Sequence, residues 1–286
     1  MEVKHNISLK NKTTIKIGGI AHNFYIPSSA EELLELVKKI NTDKFYIISG
    51  GSNLLINDKK EFENVISMEN VDNTIECLGD NNFYIGASNR IQNVINHVNN
   101  MGFGGIEEFY SLPAMFGGMI YMNAGIGSKN SSSVVMSNIL ERVKVINLKE
   151  QKIEWLNNSE CGFNHRTSLF QNDKYIILGA ECKFDYQDIN ESKKRISERM
   201  TKCKEKQEWG KGCFGTCFSV ADRKLLKLIS LLNFNKSKIY QSKTNSNWLV
   251  NRGTATYDDA MKIINKAKKI HRIFHKKIKC EVVIWG

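Results

Sequence analysis

The sequence predicts an α+β protein in two parts, on three observations. The first 60 residues read as a β-α-β unit. Residues 65–87 and 143–184 break into short strands joined by Asn/Asp/Gly turns. After about residue 190 the chain becomes rich in helix. At 286 residues, with 41% hydrophobic and 25% charged side chains, the chain is long enough for two domains and ordinary for a globular protein.

The elements follow in order. Asn23–Ile26 reads as a strand ending at Pro27. Ser28 or Ser29 then caps a helix with Glu31 and Glu32 in its first turn and Leu33, Leu36, Val37 and Ile40 on one face. Phe45–Ile48 is a short buried strand running into Ser49-Gly50-Gly51-Ser52-Asn53, and Leu54–Ile56 resumes the strand. Residues 78–82 form a hairpin loop, and apolar positions 91, 94, 95 and 98 mark a helix stopped by Gly102. Val143–Ile146 and Lys152–Trp155 form a hairpin, and Tyr175–Phe184 is a further strand. Helices are expected over 191–208, 225–232 and 257–274, a strand at 248–250, and a closing strand over 280–285.

Gly102–Gly125 is the most informative stretch. Six glycines interleaved with apolar residues are too many for a helix interior. Backbone amides packed against something flat or anionic explain them. Ser49–Asn53, two glycines between serines at a strand end, leaves consecutive amides free for phosphate oxygens, although tight turns also use such sequences. Arg166 lies between Phe163 and Phe170 in what is ordinarily a surface loop; if that apolar bracket buries the guanidinium, the cation wants an anion. Gly215-Thr216-Cys217-Phe218 delivers a hydroxyl and a thiol at a turn. Glu281 stands on an apolar terminal strand, where a carboxylate must be paired or used.

Composition narrows the function classes. No apolar run is long enough to span a bilayer and the N-terminus lacks a signal-peptide core, so a cytoplasmic protein is expected. Seven scattered cysteines argue against a disulfide framework. Cys213/Cys217 and His271/His275 have a spacing a metal could use, but the Cys pair flanks a turn unlike a zinc knuckle, and no metal is expected. The net charge of +11 gathers over 193–206 and 262–279, where solvated helix faces are the default reading.

Taken in order, six motifs resemble one family. They are Thr14-x-x-x-Gly18-Gly19, Ser49 to Leu55, the glycine segment ending Met122-Asn123-Ala124-Gly125, Gly162-Phe163-x-x-Arg166-x-Ser168, Gly215-Thr216-x-Phe218 and Glu281-Val282. The family is the UDP-N-acetylenolpyruvoylglucosamine reductases, and the resemblance covers nearly the whole chain. It implies an FAD-binding region of the vanillyl-alcohol-oxidase type in two subdomains, residues 1–67 and 68–190. A smaller α/β substrate-binding lobe, residues 191–286, follows.

By the same resemblance, Ser49, Gly50, Gly51, Ser52 and Asn53 hold the FAD pyrophosphate. Ser111, Pro113, Ala114, Gly117, Gly118 and Asn123 line the flavin, and Thr14, Gly18 and Gly19 support the site. The implied reaction is NADPH-dependent reduction of an enolpyruvyl ether to UDP-N-acetylmuramate. Arg166 and Glu281 would stabilise charge at the substrate carboxylate, and Thr216 would donate a proton. The implied partners are NADPH and the UDP-sugar enolpyruvyl ether, with no nucleic acid or membrane, for a monomer. The alternatives are a flavin oxidase on the same scaffold with another substrate, and a slow or repurposed reductase.

This sequence departs from the family pattern at several positions. Thr216 replaces the usual Ser or Cys, His165 the usual Tyr, Ser49 a Gly and Ala114 a Gly. Ser242-Lys243-Thr244-Asn245-Ser246-Asn247-Trp248 lacks the family's Lys-His pair. The region after Asn123 resembles the shorter, second type of the family.

Overall fold

The computed structural model describes residues 1–286 apart from 41–43, 128–133, 209 and 234–237. Part of the region after Asn123, assigned above to the shorter type, therefore lies outside the described residues. The chain forms two interleaved compact units. The first comprises residues 1–3, 24–49 and 64–202; the second comprises 4–23, 50–63 and 203–286.

The first unit is built on a five-stranded antiparallel sheet, in the order 152–157, 140–147, 175–183, 82–86, 75–79. Strand alternation gives the sheet two buried faces. Val143, Val145 and Ala180 pack with Phe83, Ile85 and two helices, α2 (Ile91–Asn100) and α3 (Phe116–Tyr121), once α1 (Ala30–Lys39) is set aside. Ile146, Ile176 and Leu178 face the other way, onto Leu33, Leu36 and Val37 of α1. Ser29 caps α1 by accepting the Glu32 N–H at 3.2 Å. Strand Phe45–Ile48 runs parallel to residues 64–67. The long polar helix α4 spans Ile189–Lys206.

One expectation fails in this unit. By sequence the segment 102–125 is too rich in glycine for a helix interior, yet Gly117 and Gly118 lie inside helix α3. Close packing is the reason: a Cβ on Gly117 would lie 2.7 Å from the Ala87 Cβ, so only glycine lets this helix touch the end of the sheet.

The second unit has a three-stranded antiparallel sheet, Gly212–Thr216, Trp248–Asn251, Ile239–Gln241. Helices α5 (Arg223–Asn233) and α6 (Tyr257–Ile273) cover it. Leu226, Ile229, Ile263, Ile264 and Ala267 join Ile15, Phe214 and Leu249 in one core. The terminal stretch is not one strand. Lys279–Cys280 pairs antiparallel with Phe218–Val220, and Val283–Trp285 then runs parallel to Leu54–Ile56. Glu281 stands at the changeover, its N–H given to Cys217 O at 2.8 Å while the Val283 N–H goes to Asn53 O at 3.1 Å. Both backbone partners are satisfied only because the strand breaks there.

Candidate active site

In the first unit, the glycine segment is held by main-chain bonds. Gly117 N–H donates to Ala87 O at 3.0 Å, Phe116 N–H to Asn89 O at 2.8 Å, and Ile91 N–H to Ala114 O at 3.1 Å. Gln92 Nε2 donates to Tyr110 O and Leu112 O at 2.8 and 2.6 Å, fixing the turn that carries Ser111 and the exposed Pro113. Ser111 Oγ also accepts from Arg199 Nε at 2.9 Å. A Cβ on Gly118 would stand 3.6 Å from Ser49 Oγ, so the end of strand 45–48 and the start of α3 adjoin. Ser49 Oγ is buried without a hydrogen-bond partner among the described residues. Such an orphan costs roughly 1–3 kcal/mol unless a ligand oxygen meets it.

Arg166 sits at a left-handed backbone, φ 57°, and its Nη2 donates to Gly125 O at 2.5 Å. The loop is tied to the end of the glycine segment at several further points. Asn123 Nδ2 donates to Asn164 O at 3.0 Å, Ser168 Oγ to Tyr121 O at 2.7 Å, and Gln171 Nε2 to Arg166 O at 3.2 Å. The Asn123 Oδ1 accepts Ser137 N–H at 3.0 Å, so its amide joins two loops. His165 is exposed, its N–H bonded to Asn164 Oδ1.

In the second unit, two residues brace the rest. Thr14 N–H donates to Gly51 O at 3.1 Å, and Thr14 O accepts Cys213 N–H at 3.1 Å. The neighbouring Ile15 O accepts Asn251 Nδ2 at 2.9 Å. Thr14 thus joins the half-buried 50–53 turn to the strand that ends at Thr216. Gly51 has φ +60°, and a Cβ there would meet Lys12 O at 2.0 Å. Gly18 and Gly19 lie against the backbones of Leu9 and Lys60. Asn53 Nδ2 donates to Glu281 O at 3.0 Å.

Thr216 follows a bulge. The register with strand 248–251 slips between Cys213 and Thr216, Gly215 takes φ +76°, and its N–H donates to Cys213 Sγ at 3.1 Å. Among the described residues, the adjoining two of the chain aside, nothing lies within 4 Å of a Cβ built on Gly215, so the turn before Thr216 borders open space. Cys217 points into the core instead, fully buried, and desolvation raises its thiol well above the ordinary range. The residues of the Cys/His spacing are used structurally: His271 is buried between Ala267 O and the Asp222 N–H. Among the described residues no group of three metal-binding side chains converges.

Two features escaped the sequence. Asn247 clamps the Thr216 turn, accepting Phe218 N–H at 2.9 Å on Oδ1 and donating Nδ2 to Phe218 O at 2.8 Å, while its own O takes Cys217 N–H. The stretch 242–248, singled out in the sequence for its missing Lys-His pair, held the signal. The second is a polar cluster in which Lys211 Nζ meets Glu208 at 2.8 Å and Tyr240 Oη at 3.0 Å, with Arg252 over the Tyr240 ring at 4.3 Å. The Glu208 bond is the largest reason the Lys211 ammonium is held up to about 12. Its members are too far apart in sequence to be read as a group.

Comparison with known proteins bears on what this arrangement belongs to. No family model matches the chain. The UDP-N-acetylenolpyruvoylglucosamine reductase of Carboxydothermus hydrogenoformans is 30% identical over 291 residues, covering 99% of this chain and 94% of the relative. The crystal structure of the corresponding reductase from Thermus caldophilus superposes over the full length of both chains with a TM-score of 0.79 at 21% identity. Cholesterol oxidase from Brevibacterium sterolicum shares the fold over 65% of this chain and 38% of its own, with a TM-score of 0.50 at 11% identity. The structural likenesses speak to the fold, and the full-length sequence identity decides the rest: the chain belongs to the UDP-N-acetylenolpyruvoylglucosamine reductase family.

Proposed function

We propose that this chain reduces the enolpyruvyl ether of UDP-N-acetylglucosamine-enolpyruvate to UDP-N-acetylmuramate, in peptidoglycan precursor synthesis, with FAD bound and NADPH as reductant. The reading rests on family membership and on one structural observation. Thr14 hydrogen-bonds both to the 50–53 turn and to the strand leading to Thr216, so groups suited to a cofactor and a group suited to a substrate share one rigid brace.

The residues present fit FAD, in a binding region of the vanillyl-alcohol-oxidase type. The orphaned Ser49 Oγ beside Gly118 matches a phosphate or flavin oxygen, and the turn Gly50–Asn53 offers backbone amides. Ser111, Pro113, Ala114, Gly117, Gly118 and Asn123 line the ring system, and Thr14, Gly18 and Gly19 hold the loop from behind. Residues 1–67 and 68–190 form the two cofactor-binding subdomains and 191–286 the substrate lobe, of a protein acting as a monomer in the cytoplasm.

FAD, when bound, would supply hydride transfer from NADPH to the alkene carbon bearing no ether oxygen. The chain's own residues do the remainder. The other alkene carbon, between ether oxygen and carboxylate, gains negative charge, which the Arg166 guanidinium stabilises together with Glu281, whose carboxyl must be protonated, or act through a donor, to help rather than repel. Thr216 gives its hydroxyl proton to that carbon. The open space at Gly215 admits the substrate to the hydroxyl.

The test is an absorption spectrum of the purified protein, followed by NADPH titration with and without the enolpyruvyl sugar nucleotide. A flavin spectrum is expected, with continuous NADPH oxidation only when that substrate is present. A colourless protein that cannot be reconstituted with FAD would overturn the reading.

A further inference from the structure

The second basic stretch of the sequence ends at a surface that a solvated helix face does not explain. α5 turns Leu226 and Ile229 into the core, yet Leu231 remains 71% exposed and Leu228 46%. These two leucines share one helical stripe with Lys224 and Lys227. At the end of α6, Ile273 and Phe274 are 61% and 55% exposed. The start of α5 and the end of α6 are held together, because Asp222 N–H donates to His271 Nε2 at 2.9 Å.

Charge along the two segments that form this face is one-sided. Residues 220–233 and 268–280 contain nine Lys or Arg and a single carboxylate, that of Asp222. That carboxylate already accepts the Lys224 and Leu225 N–H groups at 2.9 and 3.1 Å. Aliphatic side chains standing among cations suit a layer whose surface is anionic and whose interior is apolar. A second copy of the chain would bring like charges together. Nucleic acid would meet the charge but make no use of Leu228, Leu231 or Phe274.

We propose that the face formed by α5 and the C-terminal end of α6 rests on an anionic phospholipid surface, with Leu228, Leu231 and Phe274 entering the headgroup boundary and the surrounding lysines and arginines facing phosphates. The sequence alone assigns the basic stretch 262–279 to solvent and expects no membrane partner. Only the fold reveals that the neighbouring leucines stay outside the core. The inference is independent of the reductase reading.

The test is co-sedimentation of the full chain with vesicles rich in phosphatidylglycerol, against vesicles of phosphatidylcholine alone. Binding is expected only to the anionic vesicles, weakening as salt rises. Lys224→Gln with Lys227→Gln should lower partitioning roughly tenfold, and Leu231→Gln should lower it without changing the salt dependence. Each variant's thermal melt should match the parent's, because these side chains lie outside the core. Equal binding to both vesicles, binding to duplex DNA or tRNA without vesicle binding, or self-association abolished by Leu231→Gln would each overturn the proposal.

Discussion

Asn53 and Glu281, 228 residues apart, are joined: the Asn53 amide donates to the Glu281 carbonyl at 3.0 Å, and Asn53 O accepts Val283 N–H at 3.1 Å. A residue assigned to the cofactor thereby fixes the main chain of one assigned to the substrate. The cause lies in the broken terminal strand. Glu281 leaves one pairing partner before Val283 joins another, so its carbonyl needs a side chain to bond.

Asn53→Ala should therefore act twice. Loss of the bond to a half-buried carbonyl should cost about 1 kcal/mol of stability, and FAD should bind roughly tenfold more weakly, a change of about 1.4 kcal/mol. Thermal melts of the cofactor-free protein and a flavin fluorescence titration measure the two separately. Unchanged values in both would remove Asn53 from the site.

Thr216→Ala removes the hydroxyl assigned as proton donor. FAD affinity should hold while turnover falls roughly a hundredfold or more. Thr216→Ser should equal or exceed the parent, because serine rotates freely about χ1 where the β-branched threonine is restricted. Steady-state kinetics with both variants checks the pair. Near-parental turnover in Thr216→Ala would exclude Thr216 as the donor.

Much of the fold was legible in the sequence because its elements are local. The Ser29 cap, the apolar spacing of α2 and the hairpin turn at Asp80 each depend on neighbouring residues. What was not legible depends on partners distant in the chain. Gly117 must be glycine within α3 because Ala87 leaves no room for a side chain. The terminal strand breaks because Phe218 and Leu54 lie beside successive parts of it. Asn247 becomes important only once Phe218 folds onto it.

That clamp gives the next prediction. Asn247→Ala deletes an acceptor and a donor to Phe218 at once, and should destabilise the protein by roughly 2 kcal/mol. It should lower kcat more than it raises KM, since Asn247 positions the Thr216 turn without being assigned a substrate contact. Asn247→Asp keeps the acceptor for Phe218 N–H and should recover part of the stability. A normal kcat in Asn247→Ala would show that the turn holds itself.

Cys280 gives a pH-dependent signature. The neighbouring Cys217 thiol, aided by the Val282 backbone and the charge of Lys268, outweighs burial and draws its thiol down to about 7. A folded-state value depressed below the unfolded one near 9 makes the unfolded chain bind more protons between these limits. Stability from this source is therefore complete above pH 9 and is lost as pH falls through about 7. Alkylation by iodoacetamide should show one half-buried thiol whose rate rises through the same pH, identified as Cys280 by peptide mapping. Cys217→Val removes the donor and should move that midpoint up toward the ordinary range, flattening the rise in melting temperature between pH 7 and 9. An unmoved midpoint in Cys217→Val would show that the Lys268 charge and the backbone, rather than the neighbouring thiol, hold Cys280 in its reactive form.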